Sequence, residues 1–153
     1  MTGDTKILSA QQLNIKSIPK NEKKKIDAFV LREWRAHNKE KKYHYQEKEF
    51  RFAAYLNGKI AGCIYGNTNG GVAYLDDIII DRKNRNKWIG KRLLKKFEEI
   101  AKKNQCHACL LATTDKHSQA INFYKNSGYC LEAQLKNMYW NVNEYYFIKR
   151  LKK

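Results

Sequence analysis

Leu75-Asp76-Asp77-Ile78-Ile79-Ile80-Asp81, followed by Arg85-Asn86-Lys87-Trp88-Ile89-Gly90-Lys91-Arg92-Leu93-Leu94, is the stretch on which the fold turns. Its first half is an apolar run of strand length, and Ile78-Ile79-Ile80 predicts burial on both faces at the centre of a sheet. Its second half changes period. Ile89, Leu93, Leu94, Phe97, Ile100 and Ala101 mark one face of a helix from about Trp88 to Asn104. A central strand therefore leaves the sheet through a short basic loop and enters a helix. The first amides of that helix lack internal acceptors, and with the helix dipole they form an anion site. Arg85, Lys87, Lys91 and Arg92 add formal charge around it. A pyrophosphate suits such a place, and an ordinary strand-to-helix connection with a basic surface is the alternative.

Working outward, Phe50–Leu56 and Lys59–Tyr65 read as two strands of a hairpin. Asn57-Gly58 between them tolerates the positive φ of a type I′ turn. Asn67–Gly71 is a further turn, and Val72–Ile80 the third strand. Upstream, Leu13–Ile18 alternates apolar with polar as a half-buried strand does, and Pro19 ends it. Ile26, Phe29, Val30 and Trp34 then predict an amphipathic helix over Asn21–Asn38. Downstream, Ala108–Thr113 is a strand and His117–Ser127 a helix. Gly128 stands where a helix ends in the left-handed conformation. Tyr129–Leu135 and Glu144–Leu151 are the last strands. The expected class is α/β (α+β): a mixed, mostly antiparallel sheet of six to seven strands with helices on both faces.

The 153 residues fit one domain, with residues 1–12 a loose leader. No stretch approaches the roughly 18 apolar residues of a membrane helix, and the start has no signal-peptide core, so a cytoplasmic location without membrane contact is expected. Cys106-His107-Ala108-Cys109 holds a single C-x-x-C without a second pair. Buried or half-buried free thiols are the expected reading, with no metal. The net charge of +16 permits nucleic-acid contact, anionic small molecules or plain solubility. Ten lysines and arginines fall between Arg82 and Lys103 against only Glu98 and Glu99, whereas the basic stretch from Lys16 to Lys48 is interleaved with acids and reads as a solvated face.

The strand–loop–helix segment and its continuation resemble the GNAT superfamily of N-acetyltransferases. That family's phosphate loop reads R/Q-x-x-G-x-G/A, and Arg85, Gly90, Leu93 and Leu94 fall on matching positions. A later family pattern, A-x-x-x-Y-x-x-x-G-F/Y, is matched by Ala120, Tyr124, Gly128 and Tyr129. The resemblance covers about residues 57–151. One departure stands out: the family usually has glycine at the positions of Asn86 and Trp88. Asn tolerates a left-handed backbone and Trp does not. Trp88 is therefore expected at a right-handed helical position with its ring away from the cofactor, the alternative being an indole that narrows the site.

The resemblance implies acetyl-coenzyme A as cosubstrate and an amine acceptor. The backbone of Ile78, Ile79 and Ile80 would pair with the pantetheine arm. The loop Arg85, Asn86, Lys87, Trp88, Ile89, Gly90 and Lys91 would hold the pyrophosphate. Tyr124 would protonate the leaving thiolate, a role its pKa range suits. His117 falls near a cofactor-contacting position. Since most amines are protonated at neutral pH, a carboxylate or water chain must take a proton; Asp76 and Asp77 precede the cofactor strand, with Asp77 preferred. Adjacent strand residues point to opposite faces, so only one of the two is expected to reach the amine. Tyr139, Trp140, Tyr145, Tyr146 and Phe147 are expected to pack in the core; a substrate pocket or a homodimer seam is the alternative. By analogy, Tyr43-His44-Tyr45 lies where the family shapes its acceptor pocket. The C-terminal half loosely resembles the streptothricin-acetyltransferase branch. Competing readings are a nucleic-acid or ribosome-associated binding module and a coenzyme A sensor without activity.

Overall fold

The computed structural model describes residues 15–41 and 47–152. The chain divides into two compact units, residues 1–43 and 44–153. The expected leader and the Tyr43-His44-Tyr45 cluster lie outside the described residues, as do Leu13 and Asn14.

In the first unit, Ile15–Ile18 is chain without strand partners, with Ile15 87% and Ile18 56% exposed. The alternation there is thus not a strand among the described residues: a strand needs a neighbour for its backbone groups, and none is provided. After Pro19 comes a single 3-10 turn, then helix α1, Lys23–Lys41. Its apolar positions Phe29, Val30 and Trp34 are exposed, and the Arg32 guanidinium stands 5.2 Å from the Phe29 ring centroid.

The second unit is built on a six-stranded sheet: β1 Lys48–Leu56, β2 Lys59–Asn69, β3 Val72–Ile80, β4 Ala108–Thr114, β5 Cys130–Leu135 and β6 Glu144–Arg150. The order is β1-β2-β3-β4-β6-β5, and only β3 and β4 run parallel. Helix α2, Ile89–Lys103, makes the crossover between them, and α3, Ser118–Asn126, follows β4. Asn57 (φ 50) and Gly58 (φ 75) make the expected hairpin turn. The second turn is shorter than its sequence suggests: β2 continues to Asn69, and Gly70-Gly71 alone reverses the chain.

The core forms where the helical stripe of α2 meets one sheet face. Leu93, Leu94, Phe97 and Ala101 pack on Ile64, Ala73, Leu75, Cys109, Leu111 and Phe147, all buried. Tyr124 and Tyr129 join the same cluster. Side chains alternate along a strand. Register therefore puts Tyr74, Leu110, Ala112, Tyr146, Thr114 and Glu144 on the other face from Leu75, Leu111 and Phe147.

Two irregularities prepare the site. First, β3 and β4 pair only from Val72–Leu75 to Ala108–Leu111 and then part. Ile78-Ile79-Ile80 is consequently not buried on both faces: Ile79 is exposed and its neighbours half-buried, because β4 has left. Second, the β2–β3 register jumps from Gly66↔Leu75 to Tyr65↔Asp77, which makes Asp76 the extra residue of a β-bulge. Gly66 permits this close approach, since a Cβ there would lie 2.1 Å from the Tyr74 carbonyl oxygen.

Candidate active site

The cleft opens where β3 and β4 diverge. It encloses about 1050 Å³ and is lined by β3 from Leu75 to Ile80, the loop into α2, the end of β4, α3, and the segment before β6.

At one end stands the entry to α2. Asp81 accepts hydrogen bonds from the Lys83 amide (3.3 Å) and the Asn84 amide group (3.1 Å), closing a 3-10 turn over Arg82–Asn84. Arg85 Nε donates to the Ile80 carbonyl (3.3 Å), and Lys87 Nζ to Asn84 Oδ1 (3.2 Å). Asn86 (φ 59) and Trp88 (φ 63) are both left-handed. The right-handed position expected for Trp88 is thus corrected. The helix starts one residue later, at Ile89, with Trp88 as its cap. The turn into the helix needs a positive φ there whatever side chain occupies it. The indole is 70% exposed, and Lys91 Nζ lies 4.7 Å from its ring centroid. No side chain caps the helix; its first internal bond runs from the Arg92 amide to the Trp88 carbonyl at 3.0 Å. The amides of the opening turn therefore have no internal acceptor, and Arg85 and Lys91 line the cleft beside them. Gly90, in the same turn, lies against the ring of Phe123 on α3.

Along the middle of the cleft, β3 beyond Leu75 pairs with β2 on one edge and lacks the β4 ladder on the other. Tyr124 of α3 closes the inner wall. It is buried, with Phe123, Tyr129 and Phe147 rings at 5.4, 6.1 and 6.3 Å. Burial, and then the charge of Asp77, pushes its hydroxyl up to about 12. His117 is exposed at the start of α3 and also lines the cleft.

At the far end, Asp76 and Asp77 both line the cleft and both are exposed. The bulge interrupts strict alternation, which lets both carboxylates border the cleft. Asp77 accepts a hydrogen bond from the Tyr65 hydroxyl. Asp76 is raised above the usual carboxylate range by desolvation, then by the charges of Asp77, Glu47 and Glu49. Tyr139, Trp140 and Glu144 complete this end. Of the C-terminal aromatics expected in the core, only Phe147 is fully buried, whereas Tyr139 is 64% and Trp140 92% exposed. The latter two sit in a short 3-10 turn, Tyr139–Asn141, between β5 and β6 and not on a strand of the sheet.

The structure thus brings Asp76, Asp77, Ile78, Ile79, Ile80, Arg85, Asn86, Trp88, Gly90, Lys91, His117 and Tyr124 to one cleft; Lys87 and Ile89 belong to the same loop and first helical turn but are not part of its wall. Tyr65 and Glu144 were not singled out by sequence reasoning, whereas a pocket was the alternative reading for Tyr139 and Trp140, which line the cleft. For Tyr65 a signal existed, since a hairpin centred on Gly70-Gly71 places it opposite the Asp pair. Cys106 and Cys109 are buried free thiols, while Cys130 is exposed. Among the described residues no group of three potential ligands could hold a metal, and no helix is long and apolar enough to cross a membrane.

A sheet that forks after one parallel pair, beside an uncapped helix mouth, defines the acetyltransferase class of fold. It is shared by an acetyltransferase from Bacillus cereus ATCC 14579 (24% identity, 92% of this chain and 99% of that one, TM-score 0.75). An acetyltransferase from Bacillus anthracis str. Ames, solved with acetyl coenzyme A, is 25% identical over 68% of this chain and 64% of that one, with a TM-score of 0.64. Residues 16–129 match the family model described as Acetyltransferase (GNAT) family, and the chain belongs to that family. Over 65 residues, 42% of this chain and 38% of its relative, it is 35% identical to the thialysine N-epsilon-acetyltransferase of Mus musculus. The chain spans about half or less of the length of the curated relatives it matches.

Proposed function

We propose that this protein transfers the acetyl group of acetyl-coenzyme A to a primary amine by direct attack in a ternary complex. The carrying observation is the continuity of one cleft. It runs from the uncapped mouth of α2, along the β3 edge that lacks a partner, to a buried phenol and two carboxylates. The opening amides of α2, with Arg85 and Lys91, suit a diphosphate. The free backbone edge of Ile78–Ile80 suits an extended arm that adds to a sheet. The acetyl thioester supplies the electrophilic carbonyl.

Asp76 or Asp77 takes the proton that the ammonium must lose before its nitrogen can attack, and the second proton, made acidic once the carbon–nitrogen bond has formed, leaves to water. Asp76, raised by its surroundings, is the better matched to an amine, and Asp77 is fixed by Tyr65. As the carbon–sulfur bond breaks, Tyr124 donates its proton to the departing sulfur. A phenol near 12 is a weaker acid than a thiol of about 8.5, so the phenolate must be recharged at once. The carboxylic acid formed on the aspartate can supply that proton, since the Asp77 charge already acts on Tyr124. The free thiols agree with a reducing, cytosolic setting.

The test is release of coenzyme A thiol from acetyl-coenzyme A in the presence of an amine panel, with calorimetric binding of acetyl-coenzyme A alongside. Binding with amine-dependent thiol release is expected. Neither binding nor release overturns the reading.

A further inference from the structure

In a chain with 31 lysines and arginines against 15 acids, Asp76, Asp77 and Glu144 line this cleft together with Tyr139 and Trp140, with Lys116 the cation of the neighbouring β4 end. On β3, the charges that act on Asp76 are Asp77, Glu47 and Glu49, all of one sign. On the same sheet face, Tyr74 and Tyr146 lie within the field of Glu144, and Tyr74 also within that of Asp76. Register explains the grouping. Beyond Tyr74↔Leu110, the strands continue through Ala112↔Tyr146 to Thr114↔Glu144, where small side chains on β4 leave room between β3 and β6. Over this end stand Tyr139 and Trp140, with ring centroids 6.2 Å apart. Trp140 is held left-handed (φ 52, ψ 28) and 92% exposed while lining the cleft. An indole kept in water beside carboxylates is poorly used as packing and well used as a face for a cation.

We propose that the acceptor is a slender aliphatic amine carrying a second positive charge, with that second ammonium held between Asp76 and Glu144 beneath the Tyr139–Trp140 pair. This rests on the acetyltransferase reading above and names its substrate class. The carboxylates supply the opposite charge, and the aromatic faces of Tyr139 and Trp140 cover the methylene chain and the cation. A carboxylate in the same position meets three acids and is rejected. The acceptor shares a cleft of about 1050 Å³ with the thioester arm, which suits a thin chain.

Three amines of matched length decide the matter: 1,5-diaminopentane, pentylamine and 5-aminopentanoate, each assayed for thiol release from acetyl-coenzyme A. The expected order of kcat/KM is diamine, monoamine, amino acid, with about tenfold or more between the first two. In Glu144→Gln and in Trp140→Ala the ratio of diamine to monoamine should fall toward one. Equal efficiency of pentylamine and the diamine in the unaltered protein overturns this proposal and leaves the acetyltransferase reading standing. Thiol release with none of the three, together with no binding of acetyl-coenzyme A, overturns both.

Discussion

The hydroxyl of Tyr65 on β2 donates a hydrogen bond to the carboxylate of Asp77 on β3, across the bulge that makes Asp76 the extra residue. The bond raises Tyr65 itself above the ordinary phenol range, which favours the hydroxyl as the donor. The Arg51 guanidinium, 5.3 Å from the ring centroid, holds the other side of the phenol. Tyr65 is thus a positioning group for one of two adjacent carboxylates. Tyr65→Phe keeps the ring and removes the bond. We expect kcat with a saturating amine to fall by about threefold to tenfold, in line with the net worth of one solvent-exposed hydrogen bond. Affinity for coenzyme A, whose expected contacts lie at the other end of the cleft, should stay unchanged by calorimetry. An unchanged kcat shows that Asp77 needs no fixed orientation.

Tyr124 should behave as a donor whose own titration is out of reach. Because burial takes its hydroxyl up to about 12, it remains protonated from pH 6 to pH 10. Activity should therefore rise with pH as the amine loses its proton, then level off, with no fall below about pH 11 caused by this tyrosine. Tyr124→Phe should lower kcat by about a hundredfold, the usual scale of general acid catalysis, and leave coenzyme A affinity in place. A falling limb between pH 8 and pH 10 that vanishes in the Phe variant would contradict the raised hydroxyl. Equal turnover in the two proteins would remove the donor role.

How far the sequence carries depends on which forces are local. The Asn57-Gly58 turn, the stripe from Ile89 to Ala101 and the Gly128 cap were legible because each needs only its own few residues. The fork and the bulge were not. Plain hairpin counting from Gly70-Gly71 pairs Tyr65 with Asp76; the register jump at Gly66 moves it to Asp77, and nothing in the composition of β2 announces that jump. Likewise an apolar run such as Ile78-Ile79-Ile80 looks the same whether a neighbouring strand covers it or leaves it open for a ligand. Trp88 misled in another way. Its side chain argues against a left-handed backbone, and the loop imposes one.

Alkaline stability follows from buried acids. Burial, and then Glu98, pushes the Cys109 thiol up to about 12, while burial, followed by Cys109 and Glu98, raises the Tyr129 hydroxyl further. The folded state binds these protons more tightly than the unfolded chain does. Their stabilisation is complete below about pH 8. It begins to fall as the unfolded thiol ionises from about 8.5 and the unfolded phenol from about 10, and the Cys109 share is gone as pH climbs through about 12. Melting temperature should hold between pH 7 and about pH 8 and drop increasingly above it. Tyr129→Phe tests the share of one residue. Its buried hydroxyl makes no hydrogen bond of ordinary geometry, so removal should cost less than about 1 kcal/mol at pH 7 and flatten the alkaline drop. An unchanged alkaline slope would assign the loss to other groups.

Trp88 offers the sharpest separation of backbone from side chain. At φ 63 a residue with a Cβ is strained by about 1–3 kcal/mol, and glycine is not. The indole returns little of this by burial, being 70% exposed, and its contact with Lys91 is a surface cation–π pair of about 0.5–1 kcal/mol. Trp88→Gly should therefore raise the stability of the folded unit, by about 1 kcal/mol in chemical denaturation. It also frees Lys91 and strips bulk from the residue that caps the opening amides of α2. If those amides hold the diphosphate, coenzyme A should bind Trp88→Gly at least as tightly as the unaltered protein. Trp88→Ala keeps the strain and loses the ring, so it should bind like the Gly variant yet lack its gain in stability. Weaker binding in both variants would mean that the indole itself grips the cofactor, and that the departure from glycine is a contact in its own right.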